Sequence, residues 1–200
     1  MALVVANVLG VGMIVPQAAR LHRRRVVDGV SGEWVGVSLA INSWWIAYGV
    51  SEQLWGVVPV SVGAIVLYGV IAAQYVRLVG PAGARRIVVG VAMSAWFPLA
   101  FLLAGGWTAA GLAIGLAYTG QFAPAAITAC RSVDLAGVSP ATWAMATGEA
   151  AIWFTYGLSN GDVALLVGGG GGAVTAAVVL ARVVTVGRAR TQPALTAPVA

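Results

Sequence analysis

The chain has 200 residues, of which 60% are apolar and only 8% are charged. Soluble domains carry about 25% charged residues, so this composition, with a mean hydropathy of +0.92, excludes a water-facing globule and points to lipid. The net charge of +5 comes from eleven arginines, no lysine and six acids, which excludes a retinal-type pigment, whose Schiff base needs a lysine. The arginines stand at the ends of apolar runs rather than on one soluble face, so nucleic acid is not an expected partner. Cys130 is the only cysteine, and no internal disulfide is expected.

A membrane-spanning helix needs about 20 predominantly apolar residues. Seven segments of that kind follow one another, at 2–21, 32–51, 54–76, 87–105, 107–130, 139–158 and 162–184. The first lacks a charged leader region and is expected to be a span rather than a cleaved signal peptide. Arg20, Arg23, Arg24 and Arg25, with His22, follow the first segment, and Arg77, Arg85 and Arg86 follow the third. Arg131 follows the fifth, and Arg182, Arg188 and Arg190 close the seventh. The connections after the second, fourth and sixth hold no arginine. All the basic residues therefore fall on one side, which the positive-inside rule makes cytoplasmic. The expected location is the plasma membrane, with the N-terminus outside and the C-terminus inside.

One stretch is used twice. Residues 12–51 and 120–159 align without a gap at an offset of 108, with eleven identities in forty positions. The identities include Gly12/Gly120, Pro16/Pro124, Arg23/Arg131, Gly29-Val30-Ser31/Gly137-Val138-Ser139, Trp45/Trp153, Tyr48/Tyr156, Gly49/Gly157 and Ser51/Ser159. Prolines and glycines are costly inside helices, so sharing them at one offset indicates duplication. Both prolines precede an arginine-bearing loop, so the two copies point the same way. Each copy has three spans and ends opposite to where it began, so one extra span must return the chain. The expected fold class is an all-α integral membrane protein with seven transmembrane helices in a 3+1+3 bundle of parallel repeats. The units are 1–80, a linker helix at 81–106, a second repeat at 107–186 and a disordered cytoplasmic tail at 187–200.

The motif is Pro16-Gln17, a basic loop, Gly29-Val30-Ser31, then Trp45-Ile46-Ala47-Tyr48-Gly49. Its second copy is Pro124, Arg131, Gly137-Val138-Ser139 and Trp153-Phe154-Thr155-Tyr156-Gly157. It resembles the PQ-loop repeat, and more narrowly the SWEET and SemiSWEET sugar transporters. The resemblance covers all seven spans and implies facilitative passage of a small sugar by alternating access. It also implies a pocket residue on the third helix of each repeat. That residue is asparagine in the family and falls on Ser61 and Gly169 here. Ala125 replaces the glutamine of the second copy.

Several residues carry the expected chemistry. Trp45 and Trp153 offer paired aromatic faces for a sugar ring, each with one indole N–H. Glu149 lies four residues before Trp153 and seven before Tyr156, on one helical face. An acid at that depth ordinarily faces a cavity. In the first copy the same region offers Asn42 and Ser38. The substrate-binding set is thus Trp45, Trp153, Asn42, Glu149, Ser61 and Gly169. Pro16 and Pro124 are expected hinges, with Gln17 beside the first. Pro140 suits the first turn of a helix capped by Ser139, and the resemblance also gives it a hinge role. Tyr48 and Tyr156 are expected to close the outer mouth. Trp34, Trp44, Trp55, Trp96 and Trp107 read as interfacial, and Gly168 to Gly172 as a site of close helix approach.

No metal-ligand cluster, hydrolytic triad or phosphate loop occurs, so neither an enzyme nor a cofactor is expected. The expected partners are a small-molecule substrate, a sugar by resemblance, and the bilayer. Oligomerisation is possible but not required. Two other readings stay open: a proton-coupled carrier of an amino acid or other polar metabolite, motivated by Glu149, and a non-transporting receptor or assembly protein on the same fold.

Overall fold

A computed structural model describes residues 1–25, 27, 30–132, 135 and 138–191. The chain is all helical among these residues. Helix α1 spans Ala2–Arg24, α2 Gly32–Ser51, α3 Val58–Val79, α4 Pro81–Arg131, α5 Pro140–Asn160 and α6 Val163–Thr191. Helices α1, α3, α4 and α6 are long and apolar enough to cross a membrane, which makes this a membrane protein. Helices α2 and α5 are of similar length but carry Ser38, Asn42 and Glu149.

Local chemistry explains the helix ends. Ser31 caps α2 by accepting a hydrogen bond from Trp34 N at 3.1 Å, and Ser139 caps α5 by accepting one from Thr142 N at 3.4 Å. Both satisfy a first-turn donor that has no helical partner. Pro140 opens α5, where its missing N–H costs nothing. Helix α3 begins at Val58, four residues later than the hydropathy suggests, because Glu52–Val57 form turns and Pro59 takes the first helical turn. Helix α6 runs to Thr191, into the segment expected to be a tail. Residues 192–200 of that segment lie outside the described residues, as do Gly29 and Gly137 of the repeated triplet.

Helix α4 has 51 residues but is not one rod. Gly105 (φ −150°, ψ 20°) and Gly106 (φ 67°, ψ −159°) leave helical geometry in its middle. A side chain at Gly106 would meet nothing within 4 Å, so glycine is required there by its backbone conformation rather than by packing. The two halves pack along α2 in opposite directions. In the first half, Gly90 and Ile87 abut Glu33 and Gly36, and Ala95 O accepts from Trp44 Nε1 at 3.2 Å. In the second half, Gly111 lies under the Tyr48 ring, and Tyr118 stands edge-on to Trp45 at 6.1 Å.

The packing repeats at the offset of the sequence identities. A side chain at Gly63 would strike Val11, and one at Gly171 would strike Thr119. One at Gly49 would strike Val57, and one at Gly157 would strike Leu165. Asn7 Nδ2 donates to Gly56 O at 3.1 Å, and Gly115 crowds Ala164 O at the matched place. The ring pairs also match. Trp45–Tyr48 centroids are 6.1 Å apart at 79°, and Trp153–Tyr156 centroids are 6.2 Å apart at 68°. Helix α1 packs on α3 and α5, while the second half of α4 packs on α6 and α2. The two three-helix groups therefore clasp each other, the first helix of each against the second helix of the other.

The glycine run of α6 serves this clasp. Gly168 lies against Trp45, Gly169 against the Phe154 backbone, Gly171 against Thr119 and Gly172 against Ala150 and Tyr118. At Gly169 and Gly171 the approach is so close that a side chain would not fit.

Among the described residues, buried apolar side chains form three clusters. One joins both groups: Ile41, Trp45, Tyr48, Leu54 and Val57 with Ile114, Trp153, Ala164 and Leu165. It sits at the end without arginines. At the arginine-rich end the core is divided. Leu21, Val35, Tyr68, Ile71, Tyr75 and Ile87 form one cluster. Ala129, Leu135, Val179 and Val183 form another. The two groups are thus joined at one end and separate at the other.

Candidate functional site

The opening between the joined and divided ends is a cavity of about 460 Å³. It extends from Val57 and Leu165, beside the shared core, to Gln17, Val30, Trp34 and Thr142, at the arginine-rich end. Its walls follow the repeat. The lining includes Gly10/Tyr118, Met13/Gln121, Ile14/Phe122, Gln17/Ala125, Trp34/Thr142, Trp45/Trp153, Val57/Leu165, Val60/Gly168 and Ser61/Gly169, all at the offset of 108. Each group supplies one wall, and the walls share geometry but not chemistry.

Trp45, Trp153, Asn42, Glu149, Ser61 and Gly169 all line this one cavity. Ser61 is buried at 2% exposure. Asn42 Nδ2 donates to Ser38 O at 2.8 Å, which leaves its carbonyl oxygen to accept from another group. Ser38, the other polar residue of that region, is buried with an unpartnered hydroxyl and does not line the cavity.

Glu149 is 5% exposed. Its Oε1 accepts a 2.9 Å hydrogen bond from Trp153 Nε1, one helical turn away. The carboxyl fits because residue 10 is glycine: an added Cβ there would lie 2.5 Å from Glu149 Oε1 and 2.7 Å from Val60 Cγ2. The matched position in the first copy is Ile41, a residue of the shared core. The acid is therefore a departure from symmetry that one wall is shaped to accept.

The expected hinge and gate residues divide. Pro16 and Pro124 lie inside helices, on exposed faces turned from the cavity, while their neighbours Gln17 and Ala125 line it. Pro140 is at the first turn of α5 and outside the lining. Tyr48 is in the shared core, and its hydroxyl donates to Asp162 Oδ2 at 2.6 Å. Tyr156 instead lays its ring 3.2 Å from where a Gly56 Cβ would stand, because the counterpart of Asp162 is Leu54.

Some tryptophans depart from the interfacial reading. Trp34 lines the cavity and meets the Tyr68 ring edge-on at 5.2 Å. Trp107 packs against Tyr48, and Trp44 is held by its bond to Ala95. Trp55 and Trp96, at 61% and 60% exposure, face outward. Tyr68, Tyr118, Gln121, Phe122, Thr142 and Trp143 also line the cavity and were not singled out from sequence. Four of them fall at the offset from other lining residues, so the repeat itself was the signal for them.

Aromatic walls with a few polar groups suit a small ring-bearing polar solute. Among the described residues no cluster of histidine, cysteine or acidic side chains could hold a metal. The sequence matches no protein-family model and no curated protein.

Proposed function

We propose that the protein is a facilitator for a small sugar, similar to the SWEET and SemiSWEET transporters, working by alternating access. In this reading α4 counts as two spans divided at Gly105–Gly106, giving seven spans in a 3+1+3 arrangement. The second half of α4 opens the second repeat. The arginines face the cytoplasm of a plasma-membrane protein.

One observation carries the reading. The two repeats share a core at one end and have separate cores at the other, around a cavity that both line. A two-part bundle joined at one end is suited to rock about the solute, opening one end while closing the other. In this reading the cytoplasmic end is the open one.

The test is radiolabelled glucose counterflow in proteoliposomes. Saturable exchange, reduced more than about tenfold by Trp45→Ala or Trp153→Ala, supports the proposal. No exchange for any mono- or disaccharide overturns it.

A further inference from the structure

Among the described residues the lining holds one carboxyl, Glu149, and no arginine or histidine. Its matched partner is isoleucine, so the acid is not part of the repeated architecture. Room for it comes from Gly10, whose own counterpart is Tyr118. A carboxyl placed this deep, with no basic neighbour among the described residues of the cavity wall, is energetically expensive. Neutral sugars are satisfied by amide and hydroxyl groups, which Gln17, Asn42, Ser61 and Gln121 already provide.

We infer that the solute is an amino sugar: a hydroxylated ring bearing an ammonium group. The ammonium pairs with Glu149, and its charge favours the ionised carboxylate. Glu149 Oε1 is held by the Trp153 indole, which leaves Oε2 to receive an ammonium N–H. The aromatic faces around the acid add cation–π attraction, and the hydroxyls of the ring meet the amides. This inference rests on the transport reading above and narrows it.

The test compares glucosamine, its uncharged N-acetyl derivative and glucose in proteoliposomes, using wild type and Glu149→Gln. Wild type is expected to favour glucosamine over both neutral sugars by roughly tenfold or more, as for a hydrogen bond to a charged group. Glu149→Gln is expected to remove that preference. Glucose flux without preference for glucosamine, or a preference that survives in Glu149→Gln, overturns the inference and leaves the transport reading standing. Absence of flux for all three sugars overturns the inference, and absence for every other mono- and disaccharide as well overturns the transport reading. Quenching of intrinsic tryptophan fluorescence in detergent-solubilised wild type gives a check that needs no variant: glucosamine should bind more tightly than glucose, and equal binding contradicts the inference.

Discussion

The Tyr48 hydroxyl on α2 donates a 2.6 Å hydrogen bond to Asp162 Oδ2 at the start of α6, tying the first repeat to the second. The same carboxylate caps α6, its Oδ1 accepting from Leu165 N at 2.8 Å. One acid thus serves a helix end and a contact between repeats, at the end opposite the arginines. Tyr48→Phe removes the contact and keeps the cap. We expect a loss of about 1.5–3 kcal/mol from the state closed at this end, the range for hydrogen bonds to charged groups. In a Cys130→Ser background, a cysteine at Ser61 should react faster with an impermeant maleimide added from the outer face when Tyr48→Phe is present. An unchanged rate would show that the bond does not hold this end shut.

The two cavity tryptophans are matched in position but not in bonding. Trp153→Phe strips Glu149 of its donor, whereas Trp45 faces isoleucine at the corresponding position. Trp153→Phe should therefore be more destabilising than Trp45→Phe by about 1–3 kcal/mol, the cost of leaving a buried polar group unpaired. Thermal unfolding in detergent measures the difference, and equal losses would contradict the bond's role.

Glycines two residues apart on α1 should behave oppositely. A Cβ added at Gly10 would strike Glu149 and Val60, while one added at Gly12 would meet nothing within 4 Å. Gly10→Ala is expected to cost about 1–3 kcal/mol through overpacking. Gly12→Ala should be neutral or stabilise by about 0.5–1 kcal/mol, as alanine favours the helix. The melting temperatures of the two variants decide the matter.

Much of this arrangement is legible in the sequence because duplication writes several of the contacts twice. Pro16/Pro124, Trp45/Trp153 and Gly49/Gly157 announce the offset, and the close approaches at Gly63 and Gly171 obey it. The division of α4 is also legible, since Gly105-Gly106 interrupts an apolar run too long for one span. Hydropathy was a poor guide where both solvents are replaced by protein. Trp34 reads as an interfacial residue, yet its ring lies beside Tyr68 in the cavity wall. The Tyr48–Asp162 bond joins residues 114 positions apart, and no local pattern foretells it. The start of α3 was displaced because turn geometry at Glu52–Val57, rather than apolarity, decides where the helix begins.

The proposed seven spans would put the two ends of the chain on opposite faces of the membrane, since the chain would cross it an odd number of times. Epitope tags at each end, probed in intact and permeabilised cells, test this. An N-terminal tag accessible outside and a C-terminal tag accessible only after permeabilisation is the expected pattern. Both tags on one face would contradict the parallel repeat.

The proposed rocking of one repeat against the other is tested most directly by electron–electron distance measurement between spin labels at two matched pairs. Arg23 and Arg131 report on the arginine-rich end, and Ser51 and Ser159 on the other; all four are exposed. On moving from the sugar-free to the sugar-loaded protein, with Cys130 replaced, the first distance should shorten while the second lengthens. Two distances that stay fixed, or that change in the same direction, would contradict the account.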